Sequence, residues 1–215
     1  WPGFIENKCS IWWLGLSNYI FDDKNSDLRL IYKNRQFLFQ LNSLNSRKKT
    51  YSKLSLIFKK LTFKEQECIL DRILGSKSRN DFSERFLTWK MIKDLSEVKN
   101  IIIGSHTMNH INLVNEDLNY VSKELFKSKK VIEEKLSKKC EHFAIPFGGK
   151  DSFNNLILKN INKAGYKYIY STLPSLRRNK TKFQVIGRVN SKAKQNNLMI
   201  LKSKYYTKAL INNLK

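Results

Sequence analysis

The hydrophobic positions from residue 86 onward alternate between helical and extended patterns. Apolar residues from Leu118 to Leu136 recur at three- and four-residue intervals, which predicts a long helix capped by Asn115, with a solvated Lys/Glu-rich face. The remaining patterns predict helices at 87–96 and 153–164, the second ended by Gly165, and strands at 101–105, 142–146, 166–171 and 183–189. Such alternation with short connections favours a parallel sheet, either a barrel or an open doubly wound sheet.

The first 85 residues have a different pattern. Residues 9–21 are aromatic and apolar, and residues 22–27 have the polar composition of a turn. The segments that follow predict short helices at 55–61, 64–74 and 81–86. We therefore expect one domain over residues 1–215, with a helical insertion at 22–85.

Composition limits the class of protein. The chain has 215 residues, of which 41% are hydrophobic and 27% charged, as in an ordinary globular domain. No apolar run is long enough to cross a bilayer, so we expect no transmembrane segment. The chain begins with Trp1 and has no signal-peptide pattern, so we expect a fragment or a processed product. The compartment stays open between the cytoplasm and the cell envelope.

The charge and the cysteines add little to this picture. A net charge of +23 would ordinarily suggest nucleic acid as a partner. Lysines are dispersed along the chain and far outnumber arginines, as a coding sequence rich in A and T would give, so we expect no nucleic-acid partner. Cys9, Cys68 and Cys140 lack the spacing of a disulfide framework or a cysteine zinc site, and we expect reduced or buried thiols.

Two histidines follow the strand predicted at 101–105. His106 and His110 are four residues apart, so both rings can face one metal ion if the backbone coils after Ser105. A catalytic zinc takes three protein ligands, so a further ligand must come from elsewhere. The spacing alone leaves open a ligand pair and two ordinary surface or capping histidines. We expect a structural role for His142, and core packing for three tryptophans that could instead stack on sugars, Trp12, Trp13 and Trp89.

Four segments carry further information, in order Phe86-Leu-Thr-Trp-Lys, Ile103-Gly-Ser-His-Thr-Met-Asn-His-Ile-Asn-Leu, Phe143-Ala-Ile-Pro-Phe-Gly-Gly and Ala164-Gly-Tyr-Lys-Tyr-Ile-Tyr-Ser-Thr. Taken together, they resemble the polysaccharide deacetylase family, the carbohydrate esterases with a NodB homology domain. The resemblance implies an α/β fold, a distorted (β/α) barrel, and a divalent metal, usually zinc, held by an Asp and two His. It also implies hydrolysis of N- or O-acetyl groups on an acetylated cell-surface or secreted glycan.

The resemblance assigns roles to residues of this chain. It implies that His106 and His110 are metal ligands and that Thr107 helps to hold their loop. It implies that the backbone N–H of Phe147 assists the metal in stabilising an oxyanion. For Arg188, a place at the active-site rim and a surface position at a strand end both remain open.

Two motifs of the family are not evident in the sequence. The Thr-Phe-Asp-Asp-Gly motif, which supplies the base and the third ligand, is missing, and no His follows His142 to supply an acid. Asp22 and Asp23 are out of place for that motif and indicate a polar turn. We therefore expect a barrel that lacks its first strand or strands, in a fragment inactive alone. The alternative is a non-catalytic carbohydrate-binding descendant of the same fold.

Overall fold

The computed structural model describes residues 1–6, 9–33, 35–75, 86–173 and 185–188. The chain divides into two compact units. The first unit is Pro2–Thr88, and the second consists of Trp1 and the residues from Trp89 onward. No helix within the described ranges is both long enough and apolar enough to cross a membrane.

The first unit combines helices with a β-hairpin. Its elements are α1 (Pro2–Ile5), α2 (Trp12–Phe21), β1 (Asp27–Tyr32), β2 (Arg35–Gln40), α3 (Leu44–Phe58) and α4 (Phe63–Leu74). Capping boxes begin both long helices, from Ser43 at α3 and from Thr62 at α4. The helix predicted at 64–74 is confirmed, and the one predicted at 55–61 is the end of the longer α3. Residues 81–85, most of a further predicted helix, lie outside the described residues.

The prediction that 22–85 is helical is wrong for the hairpin. Strands β1 and β2 are antiparallel, with Asp27 opposite Gln40 and Tyr32 opposite Arg35. In β1, Leu28 and Leu30 are buried on either side of an exposed Arg29. This two-residue period of burial is the pattern of a half-buried strand. The helical patterns of the later segments do not extend to these residues.

The second unit consists of a parallel sheet and of helices that pack against one another. Its elements are α5 (Trp89–Ser96), α6 (Leu118–Leu136), β3 (His142–Ala144), α7 (Asn155–Lys163), β4 (Tyr168–Ser171) and β5 (Val185–Gly187), with single 3-10 turns at Leu113–Asn115 and Lys150–Ser152. The strand order is β3-β4-β5, and both pairs are parallel. The predicted α/β class is thus confirmed. Closure into a barrel stays a prediction.

The strand predicted at 101–105 is wrong in its extent. Among the described residues, only Ser105 pairs, through a parallel bridge to Phe143, in which its N–H donates to His142 O at 2.8 Å and its carbonyl accepts from Ala144 N at 2.9 Å. Ile101 and Ile102 are exposed at 39% and 68%. Apolar β-branched residues alone do not make a ladder, because a strand also needs a neighbour along its whole length.

Helix α6 is confirmed, with two corrections. Its N-cap is Asp117, whose Oδ1 accepts the Tyr120 N–H at 2.9 Å, because the predicted cap Asn115 instead ends a 3-10 turn. The predicted apolar face is buried, at Val121, Leu125, Ile132 and Leu136. The expectation that its glutamates are solvated is wrong for Glu124, which is only 4% exposed.

The second βα unit follows its predicted pattern. Asn154 caps α7 by accepting the Ile157 N–H at 2.9 Å. Gly165 follows the helix with φ of 83°, the left-handed conformation expected of a glycine just beyond a helix. The core between strands and helices contains Phe143, Ile169 and Ile161, all essentially inaccessible to solvent.

Candidate functional site

The two predicted histidine ligands lie side by side at the end of the Ser105 bridge. Their ring centroids are 4.7 Å apart, with the planes at 77°. They do not meet across a helical turn, as the spacing suggested. The connecting segment is a loop in which Thr107 and His110 have positive φ values of 65° and 55°. This loop brings the rings together at the cost of unfavourable backbone conformations.

A carbonyl group fixes the tautomer of His106. Its Nδ1 lies 2.6 Å from Ala144 O. A carbonyl oxygen only accepts hydrogen bonds, so Nδ1 carries the proton and Nε2 keeps its lone pair. Metal-binding histidines are commonly oriented in this way, with the second ring nitrogen donating to a backbone carbonyl. The arrangement therefore suits Nε2 of His106 to bind a cation.

Both rings are held in their neutral form. Burial lowers the pKa of His106 to about 4. Burial, followed by the charge of His106, lowers the pKa of His110 to about 3. Neutral imidazole is the form that binds metals, so the pair is in the right protonation state at neutral pH.

A buried glutamate of α6 holds the loop between the histidines. Glu124 Oε2 accepts the backbone N–H groups of Met108 and Asn109, both at 2.9 Å. Its Oε1 accepts Asn109 Nδ2 at 2.7 Å. Burial raises the pKa of Glu124, while the bonds from Asn109 and Met108 act in the opposite direction. No sequence motif marks this residue, although its position three residues after Val121 places it on the apolar stripe of the helix.

A buried hydroxyl network holds the residue that precedes His106. Ser105 Oγ donates to Ser128 Oγ at 2.9 Å, and Ser128 Oγ lies 3.2 Å from Tyr166 Oη. Tyr166 Oη also donates to Leu125 O at 3.0 Å. The network ties the end of the bridge to α6 and to the segment before β4.

The loop after β3 brings Phe147 to the histidines. Its ring centroid is 5.1 Å from that of His110. Phe147 and Gly148 have φ values of 62° and 63°, and Gly148 O accepts the Thr172 N–H at 2.9 Å. Within the described part of the chain, the Phe147 N–H donates to no other group. No described group thus occupies this N–H, and its role in stabilising an oxyanion stays a prediction.

Two further residues border the pair. The ring of Trp1 lies 4.6 Å from His110 and 6.3 Å from His106, a contact that no sequence pattern indicated. The backbone of Arg188, just after β5, donates to Ser171 O at 3.0 Å, and the residue is exposed. After burial, the charge of Arg188 is among the smaller influences that lower the pKa of His106. That influence accords with the rim position, which stays a prediction.

The third histidine has a different environment. His142 Nδ1 lies 2.8 Å from Tyr170 Oη, and its ring stacks on Tyr168 with centroids 4.5 Å apart. His142 and His106 both line a surface cavity of about 300 Å³ on the sheet. The hydrogen bond and the stacking account for His142 as a structural residue.

Asp22 and Trp12 occupy the kinds of position that the sequence predicted for them. Asp22 Oδ1 accepts the Lys24 N–H at 3.0 Å, as expected of a polar turn. Trp12 is 5% exposed and stacks on Phe58, in agreement with core packing.

Within the described ranges, no three side chains among His, Cys, Asp and Glu form a group that could hold a metal. The described residues therefore offer two candidate metal ligands, His106 and His110.

Comparison with known proteins identifies the family. The family model for polysaccharide deacetylases matches residues 44–169, more than half of the chain. The chain belongs to the polysaccharide deacetylase family. The resemblance found in the sequence motifs is thus confirmed. No curated protein matches the chain.

Solved structures with a similar fold include three deacetylases. A Streptococcus pyogenes deacetylase, PplD, in complex with acetate, is 22% identical, with 48% of this chain and 44% of that chain covered and a TM-score of 0.43. A polysaccharide deacetylase from Bacillus cereus is 19% identical, with coverages of 55% and 36% and a TM-score of 0.46. A de-N-acetylase from Aggregatibacter actinomycetemcomitans is 14% identical, with coverages of 88% and 62% and a TM-score of 0.42. The chain spans less than two thirds of each of these structures.

Proposed function

We propose that the protein to which this chain belongs is a metal-dependent deacetylase that hydrolyses N- or O-acetyl groups on a cell-surface or secreted polysaccharide. Membership of the polysaccharide deacetylase family supports hydrolysis of the amide class of bond. The proposal of a bound metal rests on the contact between His106 and His110. His106 Nδ1 is hydrogen-bonded to Ala144 O, so Nε2 is left for a cation.

The residues that would hold the metal are His106 and His110, together with a carboxylate from outside the described residues. The donor set favours zinc, for which imidazole and carboxylate are common ligands. When bound, such a metal lowers the pKa of a water and polarises the acetyl carbonyl. The parallel sheet and its flanking helices support the proposal that the complete domain is a distorted (β/α) barrel. The family match runs through the boundary between the two units, which favours one domain with 22–85 as an insertion.

The described residues of the chain contribute to orienting the metal ligands and to binding the substrate. The carbonyl of Ala144 orients His106, and the free N–H of Phe147 donates to the oxygen that becomes negatively charged as water attacks the acetyl carbon. The rings of Phe147 and Trp1 exclude water from one side of His110. Arg188 lies at the rim, where its charge can contact an anionic or polar part of the glycan. The products are acetate and the deacetylated sugar.

The base and the acid must be supplied by groups outside the described residues. We propose that the 215-residue chain alone binds zinc weakly and turns over negligibly, because its described residues offer two ligands where a catalytic zinc takes three. No nucleic acid is expected as a partner.

The test is acetate release by the full-length parent protein from acetylated glycans and from a generic acetyl ester, with and without added zinc. His106→Ala should abolish zinc binding and turnover. His142→Ala is the matched control, because His142 is satisfied by Tyr170, and it should retain both. Glycan binding that is insensitive to chelator, with no acetate released, would instead favour the carbohydrate-binding alternative. Full zinc stoichiometry in His106→Ala would refute the ligand assignment.

A further inference from the structure

Glu124 is an unusual residue for the middle of an amphipathic helix. It is 4% exposed and lies on the buried face of α6 beside Val121 and Leu125. A buried carboxylate costs several kcal/mol unless it is paired or hydrogen-bonded, so its hydrogen-bond partners explain why it is tolerated there. Tyr120, on the same helix, also hydrogen-bonds the carboxylate, and its other partners belong to one short loop.

The three N–H groups that reach Glu124 come from two consecutive residues. Oε2 accepts the backbone N–H groups of Met108 and Asn109, and Oε1 accepts the Asn109 side-chain amide. Only an acceptor with two oxygens and no hydrogens of its own satisfies this set. A glutamine would place an NH₂ group against at least one of these donors.

Met108 and Asn109 lie between the two histidines. The residues that flank them, Thr107 and His110, both have positive φ, which a loop of ordinary L-residues does not adopt without support. Glu124 bonds to the middle of this loop from the side of the helix. Four residues further along α6, Ser128 accepts the Ser105 hydroxyl on the other side of His106. Two buried polar groups of α6, one turn apart, therefore fix the segment 105–109.

From this geometry we propose that Glu124 is a positioning residue for the metal centre, which sets the distance and relative orientation of His106 and His110 through the Met108–Asn109 loop. The inference rests on the proposed function, since it concerns how the histidine pair is prepared for a metal. Glu124 itself touches no substrate and binds no metal. If Glu124 served stability alone, its loss would affect only the folding of the protein. As a positioning residue, its loss should alter the histidine pair in a protein that still folds.

The experiment compares Glu124→Gln and Glu124→Asp with Glu134→Gln in the full-length parent protein. Glu134 is the matched control, because it lies on the same helix but is exposed and forms a surface ion pair with Lys130, at 3.7 Å. Zinc affinity is measured by competition with a chromophoric chelator. The tautomer of His106 is measured in the metal-free protein from long-range ¹H–¹⁵N correlations of the imidazole, and thermal unfolding reports the fold.

Glu124→Gln should weaken zinc binding by about 10–100-fold, the usual effect of losing a group that orients a ligand. The His106 signal should change from a pure Nδ1–H tautomer to a mixture, because the ring loses its fixed approach to Ala144 O. Glu124→Asp keeps an acceptor-only group and should recover part of the affinity. Glu134→Gln should match the wild type in every measurement. Asn109→Ala removes one of the three donors from a half-buried position, and it should weaken zinc binding less, in the same direction, if Glu124→Gln fails to fold.

The outcomes separate this inference from the proposed function. Zinc affinity and His106 tautomer that are unchanged in the folded Glu124 variants and in Asn109→Ala would overturn the positioning role and leave the deacetylase proposal intact. A changed tautomer in a protein whose wild type binds no zinc would support the positioning role and refute the metal-dependent function.

Discussion

Replacing Gly148 by alanine tests the loop that presents Phe147 to the histidines. Gly148 is buried and has φ of 63°, a conformation that L-residues rarely adopt. A Cβ atom there would lie 2.9 Å from the backbone nitrogen of Thr172 and 3.3 Å from the carbonyl oxygen of Ile145. Both neighbours are backbone atoms, so the loop itself must shift to admit the methyl group.

The cost has two parts. The left-handed conformation costs an alanine about 1–2 kcal/mol. The shift also lengthens the hydrogen bond from Thr172 N to Gly148 O, which is worth about 0.5–1.5 kcal/mol. Alanine reduces the entropy of the unfolded chain, which offsets about 0.4–1 kcal/mol. The free energy of unfolding should therefore fall by about 1–3 kcal/mol.

The neighbouring glycine provides a matched control. Gly149 has φ of −77° and ψ of 177°, which alanine adopts freely, and an added Cβ would meet only Ser152 Oγ, at an ordinary 3.8 Å. Gly149→Ala should be neutral, or stabilising by about 0.4–1 kcal/mol. The two variants insert the same methyl group one residue apart, so the difference between them isolates the backbone conformation and the close approach.

Urea unfolding followed by circular dichroism measures both variants in the full-length protein. With a slope of about 2 kcal/mol per molar urea, the midpoint of Gly148→Ala should lie about 1 M below that of Gly149→Ala. Equal midpoints for the two variants would refute this account of the Phe147 loop.

Three further predictions concern the buried polar groups and thiols. Tyr166→Phe removes a buried hydroxyl that donates to Leu125 O, and its free energy of unfolding in urea should fall by about 1–2 kcal/mol; an unchanged value would contradict the network. With a chromogenic disulfide reagent, the exposed Cys68 should react at once and the buried Cys9 and Cys140 only on unfolding, so a rapid release of three equivalents would be contrary to the structure. Burial raises the pKa of Cys140 to about 11 from an ordinary value of 9.0. Above about pH 9 the thiol is therefore deprotonated in the unfolded chain but not in the folded one. The free energy of unfolding then falls as pH rises, by up to about 1.4 kcal/mol per pH unit. The stability advantage of wild type over Cys140→Ala should accordingly shrink between pH 9 and 11, and a constant difference would argue against the shift.

The parts of the fold that follow from local pattern were predictable from the sequence. Helix α6 follows from the spacing of its apolar residues, and Gly165 follows from the conformation that the end of α7 requires. The histidine pair was predictable because two histidines four residues apart are typical of a metal site. In each case the information lies within a few residues along the chain.

The missed features depend on partners distant in sequence. Whether residues 101–105 form a strand depends on a neighbour along their edge, and only Ser105 has one among the described residues. Glutamate is usually solvated, whereas the cost of burying Glu124 is offset by N–H groups 15 and 16 residues away. The contact of Trp1 with His110 joins positions more than 100 residues apart, and no periodicity encodes it. The hairpin at 27–40 is different, because its two-residue period was present in the sequence and was outweighed by the neighbouring helical patterns.

X-ray absorption at the zinc edge of the zinc-loaded parent protein tests the central claim most directly. Two imidazole nitrogens at about 2.0–2.1 Å, with oxygen as the remaining ligands at about 2.0–2.2 Å, are predicted for the wild type and for His142→Ala, whereas His106→Ala should bind no zinc and give no zinc spectrum. Sulfur ligands at about 2.3 Å, or an imidazole count unaffected by His106→Ala, would contradict the assignment of His106 and His110 as the metal-binding pair.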